Sequence, residues 1–177
     1  LRLGRTRWSS RSLFKACTNG SSELMSNISM SLVSMLYNAQ LLHYAGEDGI
    51  AAYGVLMYVS MIFQALFIGY SVGTAPVVSF HYGAGHHTEL RGLLRKSASI
   101  VSVFAVVMFV GARLLAAPLS HLFVGYDAAL LAMTNHAFSI FSFCFLFSGY
   151  AIFGSSFFTA LNNGLISAAI SFLRTLV

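Results

Sequence analysis

The chain has 177 residues, 57% of them hydrophobic and only 8% charged, with a net charge of +5. Soluble domains carry about a quarter charged residues, so a soluble globular fold is excluded. The positive charge is gathered in two clusters, Arg2 to Lys15 and Arg91 to Lys96, and is not interleaved with aromatic residues along one surface. That distribution argues against a nucleic-acid partner.

Residues 1–17 form a basic segment with no acid, and a segment rich in Lys and Arg stays on the cytoplasmic side of a membrane. The remainder, 18–177, reads as an all-α integral membrane bundle. A helix needs about 20 apolar residues to cross the hydrocarbon core, and five candidate spans follow in order. The first, 21–42, is rich in Ser, Met and Asn, which suits a helix facing other helices. An acidic turn, Ala45-Gly-Glu-Asp-Gly49, separates it from the second, 50–78. Gly69 and Gly73 make a small-xxx-small match there, and Pro76 removes a backbone donor, which predicts a kink or helix end. His81-Tyr-Gly-Ala-Gly-His-His87 then makes a turn.

The third span, 93–117, carries Arg113, expected to snorkel to the outer interface. Pro118 and Gly125-Tyr-Asp127 are expected to mark an outer loop. The fourth apolar stretch, Ala128 to Leu161, would be about 51 Å long as one helix, so its span is set at 130–160 with the outer end leaving the membrane or tilting strongly. Asn162-Asn163-Gly164 turns the chain into the fifth span, 164–177. Those fourteen residues rise about 21 Å against a core of roughly 30 Å, so that helix is expected to be cut short. The absence of an initiator Met at Leu1 likewise suggests a fragment. On this layout the cytoplasmic loops hold eight of the ten Lys and Arg, and the outer loops hold Glu47, Asp48 and Asp127.

Few residues carry candidate chemistry. Glu23 falls at the cytoplasmic end of the first span. It is either a helix cap that complements the dipole or an ion-coupling carboxylate, since ionisable groups inside a membrane mark ion pathways. Arg174 lies some ten residues into the last span and calls for a bundle-interior partner or a water-filled cavity. Asn27, Tyr37, Asn38, Gln64, Asn135 and His136 are candidates for a substrate or ion pathway, with interhelical hydrogen bonding as the plainer reading. His81, His86 and His87 are read as an interfacial loop and not as metal ligands. Cys17 and Cys144 lie far apart and read as ordinary thiols. Gly83-Ala-Gly85 lacks the third glycine and the strand of a dinucleotide site. No cofactor is expected.

A set of motifs, in order, carries a family likeness: Gly20-Ser-Ser-Glu23, Tyr37-Asn38, Ala45-Gly-Glu-Asp-Gly-Ile-Ala-Ala-Tyr53, Gly69-Tyr-Ser-Val-Gly73, Ala75-Pro76 and His81-Tyr-Gly-Ala84. Phe158-Thr-Ala-Leu-Asn-Asn-Gly164 and Ser171-Phe-Leu-Arg174 continue it. Together they resemble the second half of multidrug and toxic compound extrusion (MATE) transporters. The resemblance implies a second lobe holding helices seven to ten and part of eleven, a partner N-terminal six-helix lobe, and efflux of organic cations across the plasma membrane coupled to inward Na⁺ or H⁺. It implies that Glu23 is the acid many members carry in the seventh helix. The chain departs from the pattern in the tenth helix, where other members place a further acid and this one has only Asp127 near its outer end. Two alternatives stand beside this reading. One is a lipid-linked saccharide flippase of the same superfamily, which would favour more basic residues in the cavity. The other is a membrane enzyme or scaffold without transport; an enzyme would gather several ionisable groups at one membrane depth.

Overall fold

The computed structural model describes residues 9–176, without the side chains of residues 12, 22, 23, 26, 175 and 176. Arg2, Arg5 and Arg7 of the basic segment, and the side chain of Glu23, therefore lie outside the described residues. Five helices follow in order: α1 (Ser10–Gly83), α2 (His87–Val124), α3 (Ala128–Phe141), α4 (Cys144–Ala160) and α5 (Gly164–Leu176).

Helix α1 is two arms joined at Gly46, whose backbone stands at φ 66° and ψ −156°. That conformation is almost confined to glycine. It lets the chain reverse: Tyr37 of the first arm stacks on Tyr53 of the second, with ring centres 5.7 Å apart, and Ser34 hydrogen-bonds to the same Tyr53. Further from the bend, Met30 of the first arm lies with Gln64 to Val72 of the second, so the arms form an antiparallel hairpin. The acidic turn expected at 45–49 is this reversal.

Contacts along the other helices complete the weave. Helix α2 runs antiparallel to α3 and α4, through Arg113 with Ser139, Phe109 with Phe143 and Ser102 with Tyr150. The second arm of α1 runs parallel to α4, through Phe63 with Phe145 and Ser79 with Ala160. Helix α5 returns antiparallel along α4, through Ser155 with Ser171 and Thr159 with Ser167. The turns at 84–86 and 161–163 thus fall at one end of the bundle with Lys15, Arg91, Arg95 and Lys96. The reversal at Gly46 and the turn at 125–127 fall at the other, with Glu47, Asp48 and Asp127. The charge asymmetry read along the sequence becomes a basic end and an acidic end in space, with Glu89 an acid in the first turn of α2 at the basic end.

The core is stacked along the bundle axis in three clusters. Phe67, Val78, Val101, Ile152, Phe153 and Phe157 fill the basic half; Leu56, Val59, Ala112, Ala116, Phe138 and Phe145 fill the middle; Ala52, Val55, Val124 and Leu130 close the acidic end. Small residues set the helix spacing where lipid offers no hydrophobic drive for association. At Gly149 a Cβ would stand 2.5 Å from the ring of Phe67, itself 1% exposed, so the two helices meet only because no side chain intervenes. Large apolar side chains such as Met61, Leu114, Leu122 and Phe147 point outward. Helix α2 and the 27–83 part of α1 are long and apolar enough to cross a membrane, as is the bent pair of α3 and α4 taken as one span.

Four sequence expectations change. Pro76 and Pro118 lie inside α1 and α2, which continue to Gly83 and Val124. One missing N–H does not end a helix when the turns on either side remain bonded, and the Thr74 hydroxyl adds a bond to the Tyr70 carbonyl at 3.0 Å. The fourth stretch breaks at Ser142–Phe143 with a bend of 50° between α3 and α4. Arg113 turns to the Ser139 carbonyl, 3.0 Å away, instead of reaching along the helix to the interface. Gly69 and Gly73 are exposed with open space around them, so they form no close helix contact here.

The reversal at Gly46 gives a direct test. A Cβ there meets nothing within 4 Å, so the cost of Gly46→Ala is one of backbone conformation alone, about 1–3 kcal/mol. Thermal unfolding of the detergent-solubilised protein is expected to show a lowered midpoint, and an unchanged midpoint would mean that the turn is not built this way.

Candidate functional site

The bundle encloses a cavity of about 340 Å³ between both arms of α1, α4 and α5. Helical spacing brings its lining together. Gln64, Ile68 and Ser71 follow one another at i, i+4 and i+7 on the second arm, Ile152, Ser155 and Ser156 share a face of α4, and Ser171 and Arg174 stand one turn apart on α5. Met30 closes the cavity from the first arm. Apolar and polar side chains alternate around the wall, with Met30, Ile68 and Ile152 beside Gln64, Ser71 and Ser155.

Most hydroxyls in this region have partners. Ser155 Oγ lies 2.7 Å from Ser171 Oγ and 2.8 Å from Ser167 Oγ, and Thr159 Oγ1 lies 2.7 Å from Ser167 Oγ. Gln64 donates from Nε2 to Ser60 Oγ at 2.6 Å. Ser71 is different. It is 3% exposed, it lines the cavity, and its Oγ finds no hydrogen-bond partner among the described residues. A buried hydroxyl without a partner is costly, so this group is available to whatever enters. Arg174, half-buried, stands in the wall between this cavity and a second one of about 340 Å³ lined by Phe143, Cys144, Phe147, Ser148 and Ala151. The first cavity therefore offers neutral hydrogen bonding and one permanent positive charge.

The residues singled out from the sequence separate into groups. Gln64 and Arg174 line the cavity together. Glu23 stands two turns before Met30 on the same arm, its side chain outside the described residues. Asn27, one turn before Met30, is exposed, and its carbonyl accepts from Ser31 Oγ at 2.9 Å. Tyr37, stacked on Tyr53, and half-buried Asn38 stand toward the acidic end. Asn135 and His136 are on α3, which does not line the cavity; Asn135 Oδ1 is buried without a partner among the described residues, and His136 is exposed. Asp127, the acid nearest the tenth-helix position, caps α3 by accepting from the N–H groups of Ala129 and Leu130 at 2.8 and 3.1 Å.

Sequence reading passed over Ser71, Ser155 and Ser171 as site residues. The i, i+4, i+7 run from Gln64 and the run Ser167, Ser171, Arg174 were the available signals, but serine stripes are common in membrane helices. At the basic end a wider opening of about 560 Å³ is lined by Lys15, Thr18, Asn19, Ser21 and the 162–164 turn, where Asn19 Nδ2 donates to the Thr159 carbonyl at 3.3 Å. The rings of His81 and His86 lie 5.8 Å apart in the adjoining turn. Among the described residues no group of three His, Cys, Asp or Glu is placed to hold a metal ion, and Cys17 and Cys144 are both exposed free thiols.

Against known proteins, the family model described as MatE matches residues 24–177. Neither the curated proteins nor the solved structures give a match.

The contrast between paired and orphan hydroxyls is measurable. Ser155→Ala deletes a bonded hydroxyl and is expected to destabilise the protein by about 1 kcal/mol. Ser71→Ala relieves a buried hydroxyl that has no partner, and is expected to leave the unfolding midpoint unchanged or raised. Equal losses from the two substitutions would show that Ser71 is bonded.

Proposed function

Because the chain belongs to the MatE family, a family of membrane transporters, we propose that it supplies the second lobe of a secondary transporter that exports organic cations against an inward gradient of Na⁺ or H⁺. The observation that carries this reading is the pocket between α1, α4 and α5, where Gln64, Ser155, Ser171 and Arg174 bring polar groups to a mostly apolar lining and Ser71 is buried without a partner among the described residues. The segregation of charge supports a cytoplasmic basic end, and the plasma membrane is the proposed location. A six-helix N-terminal lobe is the proposed partner.

Glu23 is the proposed ion-coupling residue. Arg174 adds a fixed positive charge to the cavity lining, which opposes a second cation unless a carboxylate compensates. Along α1, Glu23 is the acid closest in sequence to Met30 and the cavity wall. A carboxylate among apolar helices has its ionised form disfavoured, so it can exchange a proton or hold Na⁺ as its surroundings change between the two cavity orientations. No described acid other than the cap Asp127 stands near the tenth-helix position, which leaves Glu23 as the candidate this chain offers.

Two experiments on the complete gene product test the reading. Glu23→Gln keeps size and hydrogen bonding but cannot exchange the ion; the variant is expected to fold, insert and bind ethidium, yet fail to expel it from proteoliposomes under an imposed pH or Na⁺ gradient. Normal gradient-driven efflux would return Glu23 to a helix cap. For orientation, a cysteine at Glu47 is expected to react with an impermeant maleimide from outside the cell, and one at His87 only after the inner face is opened. The reverse pattern would overturn the layout.

A further inference from the structure

The break between α3 and α4 leaves a specific chemical vacancy. In a continuous helix the carbonyl of Ser139 would accept the N–H of Phe143. Here that N–H turns to the Ile140 carbonyl, 3.2 Å away, and the following turn tightens, with Phe145 N–H on Ser142 O and Leu146 N–H on Phe143 O, both at 3.1 Å. Ser139 O is left without its helical donor, which is costly for a backbone group in an apolar span. Two donors fill it. Ser142 Oγ donates from the break itself at 2.8 Å, and Arg113 Nη1 donates from the neighbouring helix α2 at 3.0 Å. One turn earlier on α2, the ring of Phe109 lies 5.1 Å from that of Phe143. Helix α2 therefore grips the break at two points, one charged and one aromatic.

We propose that Arg113 is a positioning residue for transport: by filling the Ser139 carbonyl it holds the 50° bend and so sets the angle at which α4 carries Ser155 and Ser156 to the cavity. The electrostatics agree. The broken end of α3 presents the negative pole of a helix, and a guanidinium is a permanent cation whose cost on an apolar helix must be offset by such a partner. The geometry also explains why an arginine suits this place on α2. Its long stem crosses to the neighbouring helix, whereas a shorter donor would stop within its own. If the angle of α4 matters to the cavity, loss of Arg113 disturbs the transport cycle without touching any residue that lines the cavity.

The inference rests on transport as the family's activity, and the test separates it from the identity of the substrate. In the complete gene product with Cys17 and Cys144 replaced by Ser, spin labels at Met133→Cys on α3 and Phe147→Cys on α4 read the angle across the break. Arg113→Met is expected to shift or broaden that distance and to lower ethidium turnover about tenfold while the half-saturating concentration changes by less than about twofold. Arg113→Lys, which keeps a charged donor, is expected to restore the distance and most of the turnover. A native distance in Arg113→Met, or a changed distance with native turnover, overturns the proposal. Should Arg113→Met fail to fold, a cycle of Arg113→Gln, too short to reach the neighbouring helix, and Ser142→Ala decides. Two donors on one carbonyl predict a double loss in turnover larger than the product of the single losses, and simple multiplication would sink the idea. If the unmodified protein does not move ethidium, the cation reading of the substrate fails, while the spin-label distance still decides whether Arg113 holds the bend.

Discussion

Inside a bilayer no water is present to satisfy a backbone group that leaves its helix, and this structure is arranged around that constraint. At several helix ends and at the break between α3 and α4, a side chain meets a backbone group that the helix leaves over. Asp127 accepts the first N–H groups of α3 at the acidic end. Asn19 donates across to the Thr159 carbonyl near the end of α4, and Ser79 to that of Ala160. At the one interruption within a span, Arg113 and Ser142 meet the stranded carbonyl of Ser139. The reversal at Gly46 uses backbone freedom instead, at the end where the acids Glu47 and Asp48 can reach water.

The same constraint decides which polar groups the interior contains. Every buried polar residue among those described is a Ser or Thr. A hydroxyl is the cheapest polar group to bury because it can rotate to donate to a nearby carbonyl or to another hydroxyl. The Ser155, Ser167 and Ser171 cluster does so and ties α4 to α5. Ser71 does not, and it faces the cavity.

Much of the plan was legible along the chain. The absence of charge from Gly49 to Thr88, the acidic and basic turns and the Asn162-Asn163-Gly164 corner place the helices and their ends, because lipid exclusion acts on composition residue by residue. The prolines misled. Pro76 read as a kink or helix end and Pro118 as the mark of a loop, yet neither ends its helix, because the cost of one absent N–H is small against the cost of unwinding a helix in lipid. Glu23 and Arg174 stood out as charged residues in apolar segments, and Arg174 does line a cavity. Tyr37, Asn38, Asn135 and His136 stood out as polar residues in apolar segments and stand away from it, since residue type carries no information about which face of the bundle a helix turns inward.

What the sequence by itself determined, then, is the membrane class, the all-α character and the separation of acidic from basic ends, all of which follow from local composition and hydropathy. What only the tertiary structure decided is everything that depends on two helices meeting. That includes the reversal of α1 on itself, the meeting of Ser71 and Arg174 at one cavity, the seat of Gly149 against Phe67 and the grip of Arg113 on a broken neighbour. Such contacts join residues dozens of positions apart, and their energies come from shape and from orphaned hydrogen-bonding groups, neither of which is written in any single stretch of the chain.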